Sequence, residues 1–590
     1  MKIGFAFPEH IRTERILRHK HREPKHRSMR GYVIVALAVF GIGMLFIRLF
    51  FLQVVQGSYY RELSDSNRIR TKIVHAPRGI INDRNGVPLV FNIPGFRKLA
   101  GDTVVFMPRE RALTLLAEGQ DLEIDSLRSY PFGEATSHVL GYVGQITSSE
   151  LKQKPFINYS INNVIGKTGI ESEYEHLLSG VDGKQLNEVD AAGRFIRTLG
   201  QTAPVPGKDI ALTLDINLQE KVFEAMKGVV KGAVVVSTPT GDILAMISKP
   251  SFDSNLFTLG KPHDKNGSTY QTAQEVLTDS SNQPLINRVI SGTYPPGSTF
   301  KLVVASAGLD SKLIDERYTV LDTGVVTVGK FSFSNWYFTM RGKTDGELNV
   351  VKAIARSNDI FFYKLAEKIG VDNISDMASQ FGLGKRLGID LGGEESGIVP
   401  TRLWKKEKIG EDWYLGDTYH YGIGQGYVLT TPLQVNMWTG VIANGGMLYQ
   451  PHLLKSNKQK VISNKFLSEK TLSLIREGMV ESCQPQGVGW PLFEFKVKNA
   501  KLKIDGKNFL EAPQSTTSAD FKDYRQVSIG CKTGTAEHGG DKALPHAWIT
   551  LFAPAYDPQI VVTVLAESSG EGSNVAAPIS KKILGYWFTK

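Results

Sequence analysis

The chain has 590 residues, 22% of them charged and 41% hydrophobic, with a formal net charge of +10. That length predicts several domains and supplies ample core material, which excludes a disordered chain, a collagen and a small disulfide scaffold. A basic balance first suggests nucleic acid or an anionic membrane, but residues 1–30 hold nine Lys and Arg against three Glu, so +6 of the +10 sits in one tail and the remainder offers no case for nucleic acid.

After that tail the run from Tyr32 to Val55 is apolar except for Arg48 and Gln53. About 24 residues at roughly 1.5 Å each span a bilayer core, and Arg48 lies near the far end, where its stem reaches the interface. The cations ahead of the span predict a cytoplasmic N-terminus, with everything from about Gly57 outside. A cleaved signal peptide fits poorly, because the basic region and the apolar run are both too long and no small-x-small site precedes Gly57. No later stretch has the length and apolarity of a second span. Residues 56–205 are polar and turn-rich, with strand-like pieces around Asn85-Gly86 and Leu140-Gly141-Tyr142-Val143-Gly144, a short helix over Glu171–Leu178, and a linker at Pro204-Val205-Pro206-Gly207.

From residue 206 the pattern changes. A strand is expected over Ile210–Leu214, a helix over Asn217–Val229, and a strand pair Gly232–Val236 and Ile243–Ile247 around the turn Pro239-Thr240-Gly241-Asp242. Near the end come strands Ala547–Phe552 and Ile560–Ala566 and a helix over Ala576–Trp587. Strands at both ends with helices between them predict an α+β domain whose antiparallel sheet is closed by N- and C-terminal strands. The partition expected is a cytoplasmic tail (1–30), a single transmembrane helix (31–55), an elongated β-rich pedestal (56–205) and a catalytic domain (206–590).

Three short motifs carry chemistry. In Pro295-Pro296-Gly297-Ser298-Thr299-Phe300-Lys301, a sharp entry leads into a helix expected over Thr299–Leu309. Ser298 then sits at a helix N-terminus with Lys301 one turn on, where a desolvated lysine can act as base and free backbone N–H groups can meet an oxyanion. An N-capping Ser followed by a surface Lys would look the same. Gly292-x4-Gly297 has phosphate-loop spacing, but Ser298 stands where that loop needs Lys. Ser357-Asn358-Asp359 opens an apolar helix, where it could equally be a cap. Lys532-Thr533-Gly534-Thr535 follows a strand-like stretch; on an edge strand it would let a peptide backbone approach and offer a cation to a carboxylate, or it is an ordinary strand end. The order Ser-x-x-Lys, Ser-x-Asp, Lys-Thr-Gly is far more specific than any one motif.

This arrangement resembles the class B penicillin-binding proteins, monofunctional peptidoglycan D,D-transpeptidases. Arg78-Gly79-Ile80-Ile81-Asn82-Asp83-Arg84-Asn85-Gly86, His138-Val139-Leu140-Gly141-Tyr142-Val143-Gly144 and Gly166-Lys167-Thr168-Gly169-Ile170-Glu171 are similar to the family's pedestal signatures. Tyr421-Gly422-Ile423-Gly424-Gln425-Gly426 and Thr431-Pro432-Leu433-Gln434 are similar to its transpeptidase domain, and Trp413-Tyr414-Leu415-Gly416-Asp417-Thr418 is closer to the elongation type than to the septal type. The resemblance implies a serine β-lactamase-like catalytic fold and a cross-linking reaction on stem peptides of a lipid-linked precursor. Ser298 would be the nucleophile, Lys301 its base, Ser357 a proton relay and Lys532 a tuning charge. Thr533, Gly534 and Thr535 would bind the substrate, and the backbone N–H groups of Ser298 and Thr535 would form the oxyanion hole. It further implies acylation by β-lactams, no cofactor, a plasma-membrane location, and as partners a membrane glycan polymerase of the shape-elongation-division-sporulation class and other elongation-complex proteins.

The chain departs from the family in places. Asp359 stands where Asn is frequent, and a carboxylate beside two lysines favours their charged forms. Some relatives carry a zinc site between the first two motifs, but residues 302–356 contain no His and no Cys, and His538 and His546 read as loop residues, so no metal is expected. Residues 484–525 resemble an insertion flanked by Cys483 and Cys531, whose pairing in a disulfide and burial as two free thiols are both compatible with the sequence. The competing functions are a septal transpeptidase, a D,D-carboxypeptidase or β-lactamase passing the acyl group to water, and a catalytically weak β-lactam-binding scaffold.

Overall fold

The structure is a computed structural model. It describes residues 29–590 apart from 102, 121, 154–155, 157–158, 191, 457, 494, 499–508, 511–523 and 540–542. Most of the basic tail expected over 1–30 and much of the insertion expected over 484–525 therefore lie outside the described residues. Contacts gather the chain into two compact units, one of Met1–Lys72 with Lys184–Thr202 and the other of Ile73–Gly183 with Ala203–Lys590.

In the first unit a helix over Met29–Phe50 continues as a π-helical turn, Phe51–Val55, giving 27 residues of apolar helix with no buried side chain. Apolarity on all sides suits a helix surrounded by lipid. A second helix, Gly57–Arg68, leads into a three-stranded sheet of Ile69–Val74, Gly183–Val189 and Phe195–Thr202. Within it Glu188 accepts from Arg197 at 2.7 Å and from Arg68.

The second unit is built on a five-stranded antiparallel sheet: β1 (Gly232–Ser237), β2 (Ile243–Lys249), β3 (Gly530–Ala536), β4 (His546–Ala553) and β5 (Ile560–Ala566), in the order β2-β1-β5-β4-β3. The N-terminal pair meets the C-terminal strands at Gly232 opposite Ala566, which is the closure the sequence pattern predicts. Residues on both faces are buried, so the strands read as continuous apolar runs such as Ile560-Val561-Val562 rather than as alternations. On one face Leu218, Val222 and Ile583 from flanking helices pack against Val234, Ile549 and Val562. On the other, Trp438, Phe300 and Leu302 belong to a larger core that reaches into the pedestal stretch at Ile81 and Leu140.

Three local expectations change. The strand expected over Ile210–Leu214 is only Ile210–Ala211, and it pairs in parallel with Ile81–Asn82 instead of joining the catalytic sheet. Pro204–Gly207 is not a free linker: Val205 pairs with Val181, Gly207 N–H donates to Pro77, and the backbone of Leu178 occupies the space a Gly207 Cβ would need. Leu140–Gly144 is split between the end of a helical turn, Ser137–Leu140, and a strand, Val143–Gln145, because Gly141 takes φ 75°. Two of the pedestal signatures meet in the interior, where fully buried Glu171 accepts from Arg78 (2.9 Å) and Arg128 (2.6 Å). A carboxylate so deeply desolvated keeps its charge only with such partners, and they hold its pKa below the usual range against the effect of burial.

Candidate active site

Ser298 lies in a 3-10 turn, Gly297–Phe300, that feeds the helix Lys301–Asp310. The turn replaces the α-helical start expected at Thr299, and its tighter winding brings positions i and i+3 into line, so Ser298 and Lys301 share one side. Gly297 sits at φ 53°, and a Cβ there would meet the Thr535 carbonyl at 2.8 Å. Glycine therefore lets the turn lie directly against β3. Its N–H donates to Gly424 (2.9 Å), and Phe300 stacks on Tyr421 at 5.2 Å, so the Tyr421–Gly426 segment braces the turn that carries Ser298.

The middle motif joins two helices. Ser357 ends Val350–Arg356 in the left-handed region at φ 52°. Asn358 caps the helix Asp359–Gln380, its Oδ1 accepting from Phe361 N–H at 2.9 Å. The cap reading of this motif thus holds for Asn358, while its neighbours turn inward. Lys301 Nζ, wholly buried, donates to Asp359 Oδ1 (2.6 Å) and the Ser357 carbonyl (2.8 Å), with Ser357 Oγ at 3.4 Å. Asp359 Oδ2 accepts from Trp336 N–H at 2.9 Å.

Lys532 reaches the same serine from β3, which lies at the end of the sheet order with no strand on its outer side among the described residues. Its Nζ donates to Ser357 Oγ (2.8 Å) and to the Thr533 carbonyl (2.9 Å). The Thr535 side chain is exposed, whereas Thr533 and Gly534 are buried. The space at Gly534 is taken by the protein itself: a Cβ would meet Thr299 Cγ2 and Trp548 Cβ at 3.0 Å and the Pro296 carbonyl at 3.1 Å. Glycine at this position lets β3 lie close against the turn that carries Ser298.

Ser357 is thus flanked by two buried lysines, with Ser298 partly exposed beside them. Burial lowers the pKa of both amines. Asp359 opposes this at Lys301, which it contacts directly, and more weakly at Lys532, where the neighbouring Lys301 charge lowers the pKa further, well below the ordinary value. Among the described residues no hydrogen bond ties the Ser298 hydroxyl to Lys301, leaving that hydroxyl open to a ligand.

Cys483 and Cys531 form a disulfide across a separation of 48 residues, which closes the insertion and fastens β3 one residue before Lys532. His546 is not a loop residue: it opens β4, is buried, and stacks on His538 at 3.8 Å between ring centres. Sequence spacing missed Trp336, Asn335 and Asp322, which stand between the first two motifs and hold the second. Nothing in their composition distinguishes them from loop residues.

Comparison with known proteins agrees with this geometry. The family described as "Penicillin binding protein transpeptidase domain" matches residues 231–585, and the "Penicillin-binding Protein dimerisation domain" matches residues 110–212. The peptidoglycan D,D-transpeptidase MrdA of Salmonella typhimurium is 34% identical, over 94% of this chain and 95% of its own length. The chain belongs to the class B penicillin-binding proteins, the serine-type peptidoglycan D,D-transpeptidases. Among solved structures, penicillin-binding protein PBP2 of Helicobacter pylori in complex with MreC superimposes with a TM-score of 0.71 at 29% identity, covering 88% of this chain and 98% of that one. A chain from a peptidoglycan synthase complex that coordinates polymerization and crosslinking gives a TM-score of 0.70 at 28% identity, covering 95% and 98%. This penicillin-binding protein carries all three motifs of the family in one interconnected cluster.

Proposed function

We propose that Ser298 is acylated by the penultimate D-Ala of a stem pentapeptide and that the acyl group passes to an amine of a neighbouring stem. In this reading Ser298 Oγ bonds to the carbonyl carbon and its proton goes to the free amine of Lys301, whose proton affinity lies below the ordinary lysine value. The bond to the terminal D-Ala breaks, and its nitrogen takes the proton that Lys301 received from Ser298, relayed through Ser357, with Lys532 tuning the network. Thr533, Gly534 and Thr535 run beside the substrate, with the threonine hydroxyls holding the terminal carboxylate. The Ser298 and Thr535 N–H groups stabilise the oxyanion, the Ser298 amide standing in a first turn where backbone donors lack internal partners. The observation that carries the reading is the convergence of two buried lysines on Ser357 beside a partly exposed Ser298.

The test is covalent labelling by a fluorescent penicillin. Wild type should label at a single site, and Ser298→Ala should not label while keeping its melting temperature. Labelling that survives Ser298→Ala sinks the assignment. Cross-linked product from lipid-linked substrate, against a released tetrapeptide, then separates transfer from hydrolysis.

The domain partition at 55 and 205, the plasma-membrane location, the cytoplasmic N-terminus and the extracytoplasmic catalytic part belong to the same proposal; the 27-residue apolar helix supports the membrane anchor. A role in cell elongation is supported by the relatives named MrdA, and partnership with a membrane glycan polymerase and elongation-complex proteins by the likeness to PBP2 bound to MreC and to the synthase complex.

A further inference from the structure

We infer that Asp322 is a positioning residue for the Ser357-Asn358-Asp359 turn, acting through the side-chain amides of Asn335 and Asn358. The inference rests on the acyl-enzyme reading of Ser298.

Asp322 is buried, 3% exposed, in the stretch between the first two motifs, just after the short strand Val320–Leu321 that pairs with Glu347–Leu348. Its Oδ1 accepts from Gly324 N–H at 2.8 Å. Its Oδ2 accepts from three donors: Asn335 Nδ2 (2.9 Å), Asn358 Nδ2 (2.8 Å) and Asp345 N–H (2.9 Å). An ionised carboxylate only accepts, so both amides must turn their NH2 groups toward it and their carbonyl oxygens away. Those oxygens are the ones that hold the second motif: Asn335 Oδ1 accepts from Asp359 N–H at 3.1 Å, and Asn358 Oδ1 accepts from Phe361 N–H at 2.9 Å. A second carboxylate, Asp345, accepts from Asn358 Nδ2 at 3.0 Å and pairs with Arg356 at 2.9 Å, which closes the brace around the turn.

The turn needs a brace. Ser357 stands at φ 52°, a conformation that is strained for a residue with a Cβ and persists only where the surroundings over-determine it. Its carbonyl and the adjacent Asp359 carboxylate are two of the contacts of Lys301 Nζ. The orientation imposed by Asp322 is thus passed through one amide to the backbone that places the catalytic amine, although Asp322 itself touches neither lysine.

The full-length chain in detergent is acylated with a fluorescent penicillin, and the non-covalent dissociation constant is separated from the first-order acylation constant k2. Asp322→Asn places an NH2 group against the existing donors, and k2 should fall about 100-fold, the cost of a displacement near 1 Å. The non-covalent constant should hold, because Thr533 and Thr535 are untouched. Asn335→Asp should lower k2 in the same way by setting two carboxylates against each other. The double variant Asp322→Asn with Asn335→Asp restores that donor–acceptor pair with reversed polarity and should recover part of k2; it also decides the matter if Asp322→Asn alone does not fold. A k2 unchanged in a folded single variant, a loss confined to the non-covalent constant, or no recovery in the double variant overturns the inference. Absence of labelling in the wild type overturns the acyl-enzyme reading instead.

Discussion

At the residue scale the site turns on how three charges share one buried space. Burial lowers both lysine pKa values, and the geometry sets the two apart: Asp359 touches Lys301, while Lys532 meets a neutral hydroxyl. The departure Asp359 is therefore the group that opposes the lowering of the Lys301 pKa by burial. Asp359→Asn removes the influence that raises the Lys301 pKa and leaves the lowering by burial unopposed. A lower pKa populates the free amine at lower pH, so the ascending limb of acylation rate against pH should move toward acid. Stopped-flow acylation across the pH range measures it; a limb that stays in place or moves toward alkali would falsify Lys301 as the proton acceptor.

At the scale of elements, the site is assembled from a 3-10 turn, a helix–helix junction and an edge strand. The edge strand is the least protected, since β3 has a strand neighbour on one side only among the described residues. The Cys483–Cys531 disulfide ties it to the end of the helix Glu469–Ser482 and closes a 48-residue separation. Loss of a cross-link of that span costs about 2–4 kcal/mol. Cys483→Ser with Cys531→Ser should lower the midpoint of chemical denaturation by a corresponding amount and slow acylation, because Lys532 follows Cys531 directly. Equal midpoints for the oxidised wild type and the variant would show that the strand is held by the β4 ladder alone. The elements themselves are legible in the sequence to different degrees. The β1–β2 hairpin and the strand β5 are readable because Ile243–Ile247 and Ile560–Ala566 are apolar runs set off by turn residues such as Gly241-Asp242 and Asp557-Pro558. Ile210–Leu214 has the same apolar character yet forms only a two-residue strand, because its partner is the pedestal segment Ile81–Asn82, a pairing no local pattern encodes.

At the scale of the whole molecule, buried histidines make stability depend on pH. His138 sits between the pedestal stretch and the catalytic sheet, its Nε2 within 2.7 Å of the Pro284 carbonyl, and burial pushes its pKa down to about 4. His546 is lowered to about 4 by burial and by His538. Both have folded values below the ordinary 6.5, so the unfolded chain binds more protons between pH 4 and 6.5, and stability falls as pH drops through that window. His75 works in the opposite sense: burial opposes its proton, but Asp182 and Asp125 outweigh it and raise the pKa, so its contribution is present at low pH and lost as pH rises. His420 is also lowered by burial and His452 is also raised by its hydrogen bond to Asp242, and three lowered histidines against two raised predict a net loss on acidification. His138→Gln keeps a donor for Pro284 without a titrating ring, and the fall in denaturation free energy from pH 7 to pH 5 should shrink. An unchanged pH dependence would assign the acid sensitivity to other groups.

The sequence by itself determined the apolar span, the α+β class and the three short motifs, because each is a matter of short spacing: apolar residues enough to span a bilayer, strands bounded by turns, a serine and a lysine three apart. Only the tertiary structure decided which lysine Asp359 touches, why Gly534 is small, and what holds Ser357 in a left-handed turn. Those answers rest on contacts between residues far apart in the chain, such as Lys301 with Asp359 and Asp322 with Asn358, and burial gives such contacts their strength by removing the water that would otherwise compete for them.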